Sequence, residues 1–334
     1  MEVLIPFLIV IIASFFQGSF GLGMKYMKPL KWEAWWLIHA TVAMIIFPIS
    51  WALVVVPDLF SVIGNAPMSA IYMGAFFGFL WGIGGIMFGV SVQHIGLSLT
   101  MGIVMGLAAS AGSLIPFFQV ENAGSNPTLP YVVGGVALML VGVAITAKAG
   151  IDRDKAINEG NASPLLNKGI MIAVACGLLS AFLNVGFSNA TPIAEEAVKA
   201  GAITRNSSLA AWVVVLLGAY LMNAGYAIFL LFKNNSWRSF SVANSRKAYR
   251  WSIFAGLCWF AALGIYGQGS ALMGTMGPVI GWPILLGLSL IISNIWAYLA
   301  GEWKGSKGAF NLLMVGLAVL VLASVVLGYS NTVH

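Results

Sequence analysis

The sequence predicts an all-α membrane protein: ten transmembrane helices arranged as two inverted repeats of five. Three observations carry this. The chain is 60% hydrophobic and only 8% charged, which leaves far more apolar surface than a water-soluble core can hide. Ten stretches reach the roughly 20 mainly apolar residues needed to cross the hydrocarbon layer. The pattern Trp, six residues, aromatic-Gly, six residues, Gly occurs twice, as Trp81, Phe88, Gly89, Gly96 and as Trp259, Tyr266, Gly267, Gly274, displaced by a constant 178 residues.

In order, the stretches run near 3–24, 34–56, 68–92, 96–119, 129–148, 168–190, 208–232, 250–272, 278–300 and 309–329. Only Met1 and Glu2 precede the first, so it lacks the basic start of a secretory signal and is expected to remain in the mature chain. Residues 149–167 are the longest polar break, rich in mixed charge and turn-formers, and are expected to be a cytoplasmic hinge loop between a first half, 1–148, and a second, 168–334. Five helices per half is an odd number, so the second half enters the membrane from the opposite face. That makes an inverted repeat, the architecture of a transporter. The recurring motif marks the third helix of each half, where Trp81 and Phe88, or Trp259 and Tyr266, stand two turns apart, about 10.5 Å along one face.

Small residues at four-residue spacing, Gly74, Gly78, Gly82 and then Gly102, Gly106, Ser110, predict close helix packing, with smooth ridges that also permit sliding. Pro48, Pro116 and Pro283 are expected to bend their helices. Cys176 and Cys258 lie in apolar spans without metal-ligand spacing and read as packing residues.

The basic residues orient the chain. Fourteen of the 16 Lys and Arg fall in the odd-numbered loops, leaving Lys199 and Arg205 for the other side. The positive-inside rule puts the odd loops in the cytoplasm and both termini outside. Nucleic acid is not an expected partner, because the cations are not clustered on a binding face.

A polar cargo needs an aromatic surface and a few amides shielded from water. Away from the span ends the candidates are Trp81, Trp259, Tyr266, Trp282 and Trp296 together with Gln17, Asn184, Asn189, Asn223, Gln268 and Asn294. Such amides serve equally as hydrogen-bonded glue between helices. Trp32, Trp35, Trp36, Trp212, Trp251 and Trp303 sit near span ends and are expected in an interfacial belt. Among titratable groups, Glu33 and His39 are the one pair on a single helix near the membrane interior, and they are the candidates for proton coupling. They lie about 9 Å apart along the axis and 240° apart around it, so Gln17 or a water would have to join them. The bland reading of Glu33 is a loop-fixing salt bridge to Lys28 or Lys31.

Enzyme classes find little support. Gly96-Leu97-Ser98-Leu99 and Gly287-Leu288-Ser289-Leu290 have the GxSx form of intramembrane serine proteases, but from residues common in any membrane helix. HExxH, paired intramembrane Asp and GxxxxGK[ST] are all missing from the sequence, and no cofactor or metal is expected.

Residues 81–103 (WGIGGIMFGVSVQHIGLSLTMGI), CGLLSA at 176–181 followed by Pro192 and Glu196-Ala197, GLCWF at 256–260 with Tyr266, and Trp282 leading to Glu302-Trp303 resemble the L-rhamnose/proton symporter family of the drug/metabolite transporter superfamily. The resemblance covers most of the chain in order. It implies a ten-helix carrier of the bacterial inner membrane, monomer or homodimer, that imports L-rhamnose or a related deoxysugar or hexose with a proton. Gly85, Met87, Phe88 and Ala262 depart from the polar residues of enterobacterial members, which leaves the sugar open among these. The alternative is a metabolite or drug exporter of the same superfamily.

Overall fold

The structure, a computed structural model, describes residues 4–95, 97–158 and 166–333. Gly96 of the first motif, residues 159–165 of the expected hinge, and His334 lie outside the described residues, as does the side chain of Ser98. The described chain is helical, with no strand, and ten helices are long and apolar enough to cross a membrane. They are α1 (Leu4–Tyr26), α2 (Trp32–Val55), α3 (Met68–Val92), α4 (Leu99–Gln119), α5 (Leu129–Lys155), α6 (Asn167–Lys199), α7 (Thr204–Lys233), α8 (Arg246–Leu272), α9 (Gly274–Leu299) and α10 (Lys307–Ser330). Each matches one apolar stretch of the sequence.

The differences lie at breaks and ends, where charge and proline compete with the apolar pattern. The helix of α5 continues to Asn158, so residues 149–158 of the expected hinge loop are helical. Lys148 and Asp152 pair at 2.9 Å across one turn, the spacing that supports a helix after its apolar pattern has ended. In α2, Pro48 cannot donate to the preceding turn, and the helix accommodates it with a π-helical segment at Val42–Ile46. In α6 the chain turns at Ala190 and restarts as Thr191–Lys199, with Pro192 in the first turn, where its missing N–H costs nothing. Pro116 and Pro283 are carried inside continuous helices.

Helices far apart in sequence pack together. α3 lies on α6 and α7, and α4 on α5 and α6. α1 lies on α8 and α9, while α2 lies on α7 and α8; α5 pairs with α10 and α4 with α9. The small-residue ridges are contact faces. A Cβ on Gly78 would run into the backbone of Val215, and one on Gly218 into the backbone of Ala75, so α3 and α7 cross with their main chains touching. Gly102 and Gly106 instead receive side chains of α5, Ala147 at the first and Leu140 and Val143 at the second. Cys176 and Cys258 are buried free thiols.

Candidate substrate chamber

The two copies of the motif meet. Trp81 of α3 and Trp259 of α8 are in ring contact, centroids 5.4 Å apart and planes tilted by 32°. Beside them stands His39 of α2, its ring parallel to Trp35 at 5.4 Å, 5.0 Å from Trp36, and 6.4 Å from both Phe20 and Trp259. Trp36 Nε1 donates to Asn223 Oδ1 at 3.1 Å, and Asn223 Nδ2 donates to the Ala219 carbonyl of its own helix. Four helices, α2, α3, α7 and α8, thus bring four Trp, one His and one amide together. His39 is 1% exposed, and its Nδ1 is buried without a protein partner. Gln17 Oε1, one turn before Phe20 on α1, is in the same condition. Each such atom costs about 1–3 kcal/mol while unpaired, which marks both as groups with binding capacity to spare.

The α3 wall of this region is bare. Gly85 follows Trp81 by four residues, only 40° around the helix, and so shares the face that carries Trp81 to Trp259. Gly85 is exposed, and a Cβ there would meet a single atom within 4 Å, Asn223 Oδ1 at 3.9 Å. At Gly89, one turn on, it would meet none.

Towards the opposite end the interior is closed. Tyr266 donates from its hydroxyl to Asn184 Oδ1 at 2.6 Å, and Asn184 Nδ2 donates to the carbonyls of Gly112 and Pro278 at 2.7 and 2.8 Å. Trp282 Nε1 donates to the Ala108 carbonyl and Ser113 Oγ to the Val279 carbonyl. Phe187 stacks on Trp212 at 4.4 Å, against Tyr266. Asn184, Tyr266 and Trp212 are fully buried. One side-chain amide therefore ties α6 to α4, α8 and α9, and the aromatic side chains fill the space around it.

The remaining candidates scatter. Asn189 reaches Gln119, and Gln268 donates to Asn206, both near the closed end. Asn294 bonds its own helix at Leu290 and lines a separate cleft of about 200 Å³ with Arg153 and Trp303. Trp296 donates to Ser19 and joins α9 to α1. Glu33, 5% exposed in the first turn of α2, accepts from Ser236 Oγ at 2.5 Å and Asn234 Nδ2 at 3.2 Å. It takes part in none of the ion pairs among the described residues, so the alternative reading of a bridge to Lys28 or Lys31 gives way to hydrogen bonds to the turn after α7. The interfacial belt also needs correction. Trp35 and Trp212 are fully buried, Trp303 is 6% exposed, and Trp36 lies in the chamber, because each sits at a helix crossing and not at the lipid boundary. Trp36 was the residue missed, although it stands three before His39 on the same face. Ser289 of the second GxSx donates to the carbonyl of Leu286 in its own helix.

Residues 3–332 match the family described as L-rhamnose-proton symport protein (RhaT). The chain belongs to that family. Relatives include the L-rhamnose-proton symporters of Yersinia pestis (strain Pestoides F) and Yersinia pseudotuberculosis serotype O:1b (strain IP 31758), each 29% identical over 317 residues, 91% of both chains. A solved crystal structure, described only as that of a protein, superimposes on 96% of this chain and 95% of its own with a TM-score of 0.64. At 16% identity that likeness concerns the fold alone. Membership of a symport family makes the chain a transporter, and the aromatic cluster at the contact of the duplicated Trp is its candidate binding place.

Proposed function

We propose that this protein imports L-rhamnose or a closely related sugar together with a proton, by alternating access, across the bacterial inner membrane. The whole-length family match carries this reading, and it favours symport over the exporter alternative. The chamber suits the cargo. Trp36, Trp81 and Trp259 offer flat apolar surface to the CH face of a pyranose, and Asn223, His39 and Gln17 offer hydrogen bonds to its hydroxyls.

The helix pairing supports an inverted repeat. Adding five to each partner converts α3 on α6 into α8 on α1, α4 on α6 into α9 on α1, and α3 on α7 into α8 on α2, all of which are present. Such a repeat has two equivalent arrangements, closed at one end or at the other. This one is closed around Asn184 and Tyr266 and bare at Gly85 and Gly89, towards the basic loops. With those loops in the cytoplasm, as the positive-inside rule places them, it is the inward-facing arrangement.

Glu33 is the group to which we assign proton coupling, with His39 deeper on the same helix. Gln at position 33 can still accept from Ser236 and Asn234, so Glu33→Gln separates charge from structure. In proteoliposomes the parent should accumulate L-rhamnose under an imposed pH gradient, and Glu33→Gln should retain sugar counterflow while losing accumulation. Saturable uptake of none of a panel of deoxyhexoses and hexoses would overturn the transport assignment. Full accumulation by Glu33→Gln would remove Glu33 from the coupling.

A further inference from the structure

The end of α1 and the start of α8 enclose a recess of about 350 Å³ at the basic end of the molecule, lined by Met24, Lys25, Tyr26, Met27, Lys28 and Lys247. Its parts are arranged by polarity. The Tyr26 ring stacks on Trp251 at 4.5 Å and carries the Lys247 ammonium 4.4 Å from its centroid, so one cation is held over an aromatic face. Lys25 pairs with Glu302 at 2.8 Å, a carboxylate that Arg153 also reaches at 3.4 Å. Lys28 and Lys247 have no ion pair among the described residues and are exposed. Just below, Ile253, Phe254 and Leu257 of α8 point outward, each about two-fifths exposed, with Phe254 edge-on to Trp251.

Two uncompensated ammonium groups above an aromatic pair, above an apolar flank, form an amphipathic sequence. It matches a molecule with an anionic head and hydrocarbon tails. Free phosphate would satisfy the cations and leave the aromatic and apolar portions without purpose. We propose that this recess is a binding site for an anionic phospholipid, its phosphate held by Lys28 and Lys247 and its acyl chains lying along α8. Basic recesses between helices on the side facing anionic lipid are where such head groups are recognised. The recess belongs to α1 and α8, helices from different halves that pack together, so a bound lipid would brace one half against the other.

The test uses the purified full-length protein in detergent, melted with added phosphatidylglycerol, phosphatidylcholine or inorganic phosphate, and examined by native mass spectrometry for retained lipid. Phosphatidylglycerol should be retained and should raise Tm, since a ligand of the folded state stabilises it. Lys28→Gln with Lys247→Gln should lose most of that increment and the retained lipid. Lys304→Gln with Lys307→Gln, which removes the same charge from another exposed loop at the same end, should keep both. Lys28→Arg with Lys247→Arg should also keep both. The proposal fails if the two Gln pairs behave alike, if phosphatidylcholine stabilises as well, or if phosphate alone gives the same shift.

Discussion

At the residue scale the chamber is defined as much by Gly85 as by its tryptophans. A Cβ there would meet only Asn223 Oδ1, at 3.9 Å, so a Leu would extend beside Asn223 into the place proposed for the cargo. Gly85→Leu is therefore expected to fold with an unchanged Tm yet lose sugar uptake, while Gly85→Ala keeps most of it; uptake assays and melting curves on the same preparations check this. The closed end answers to a different change. Tyr266→Phe leaves a buried lone pair of Asn184 unpaired and should cost about 1–3 kcal/mol, read as a lower Tm and as greater access to the cavity from the closed end. The tryptophans of the motif could be picked from the sequence because a duplicated pattern marks equivalent positions. Whether each amide faced cargo or another helix could not, because Asn184 and Asn223 look alike in sequence and differ only in what lies across from them. Asn184 meets two carbonyls and a phenol. Asn223 meets Trp36 and an open wall.

At the element scale, the α3 and α7 crossing depends on the absence of side chains. Gly78→Val should push the helices apart and cost about 1–3 kcal/mol or more by overpacking, while Gly64→Val, where a Cβ would touch nothing, should be silent in the same melting experiment. All ten spans were legible because about 20 apolar residues in lipid have one solution, a helix that satisfies its own backbone. The ends were not. The Lys148 and Asp152 pair extends α5 into what composition marks as loop, and the π segment before Pro48 depends on one missing N–H that hydropathy does not register.

At the scale of the whole molecule, the charge partition and the closed end together predict which face is open. Both native cysteines are buried, so introduced thiols can be read against a quiet background. Lys155→Cys should be labelled by an impermeant reagent only from the cytoplasmic side and Asn331→Cys only from outside. Gly89→Cys should be labelled from the cytoplasmic side and become protected there when substrate drives the alternate arrangement. Labelling of Lys155→Cys from outside would reverse the orientation.

The packing of α1 against α8 and α9 has a consequence for how the protein is made. α1 ends at Tyr26 and its partners α8 and α9 begin only at Arg246 and Gly274, which at ribosomal speeds of about 5–20 residues per second is a delay on the order of ten seconds or more. Through that interval Gly18, which ends against Ser289 and Ile292, has no partner from these helices. Biogenesis of this carrier is thus a problem of storage: α1 waits for partners that the ribosome has yet to make.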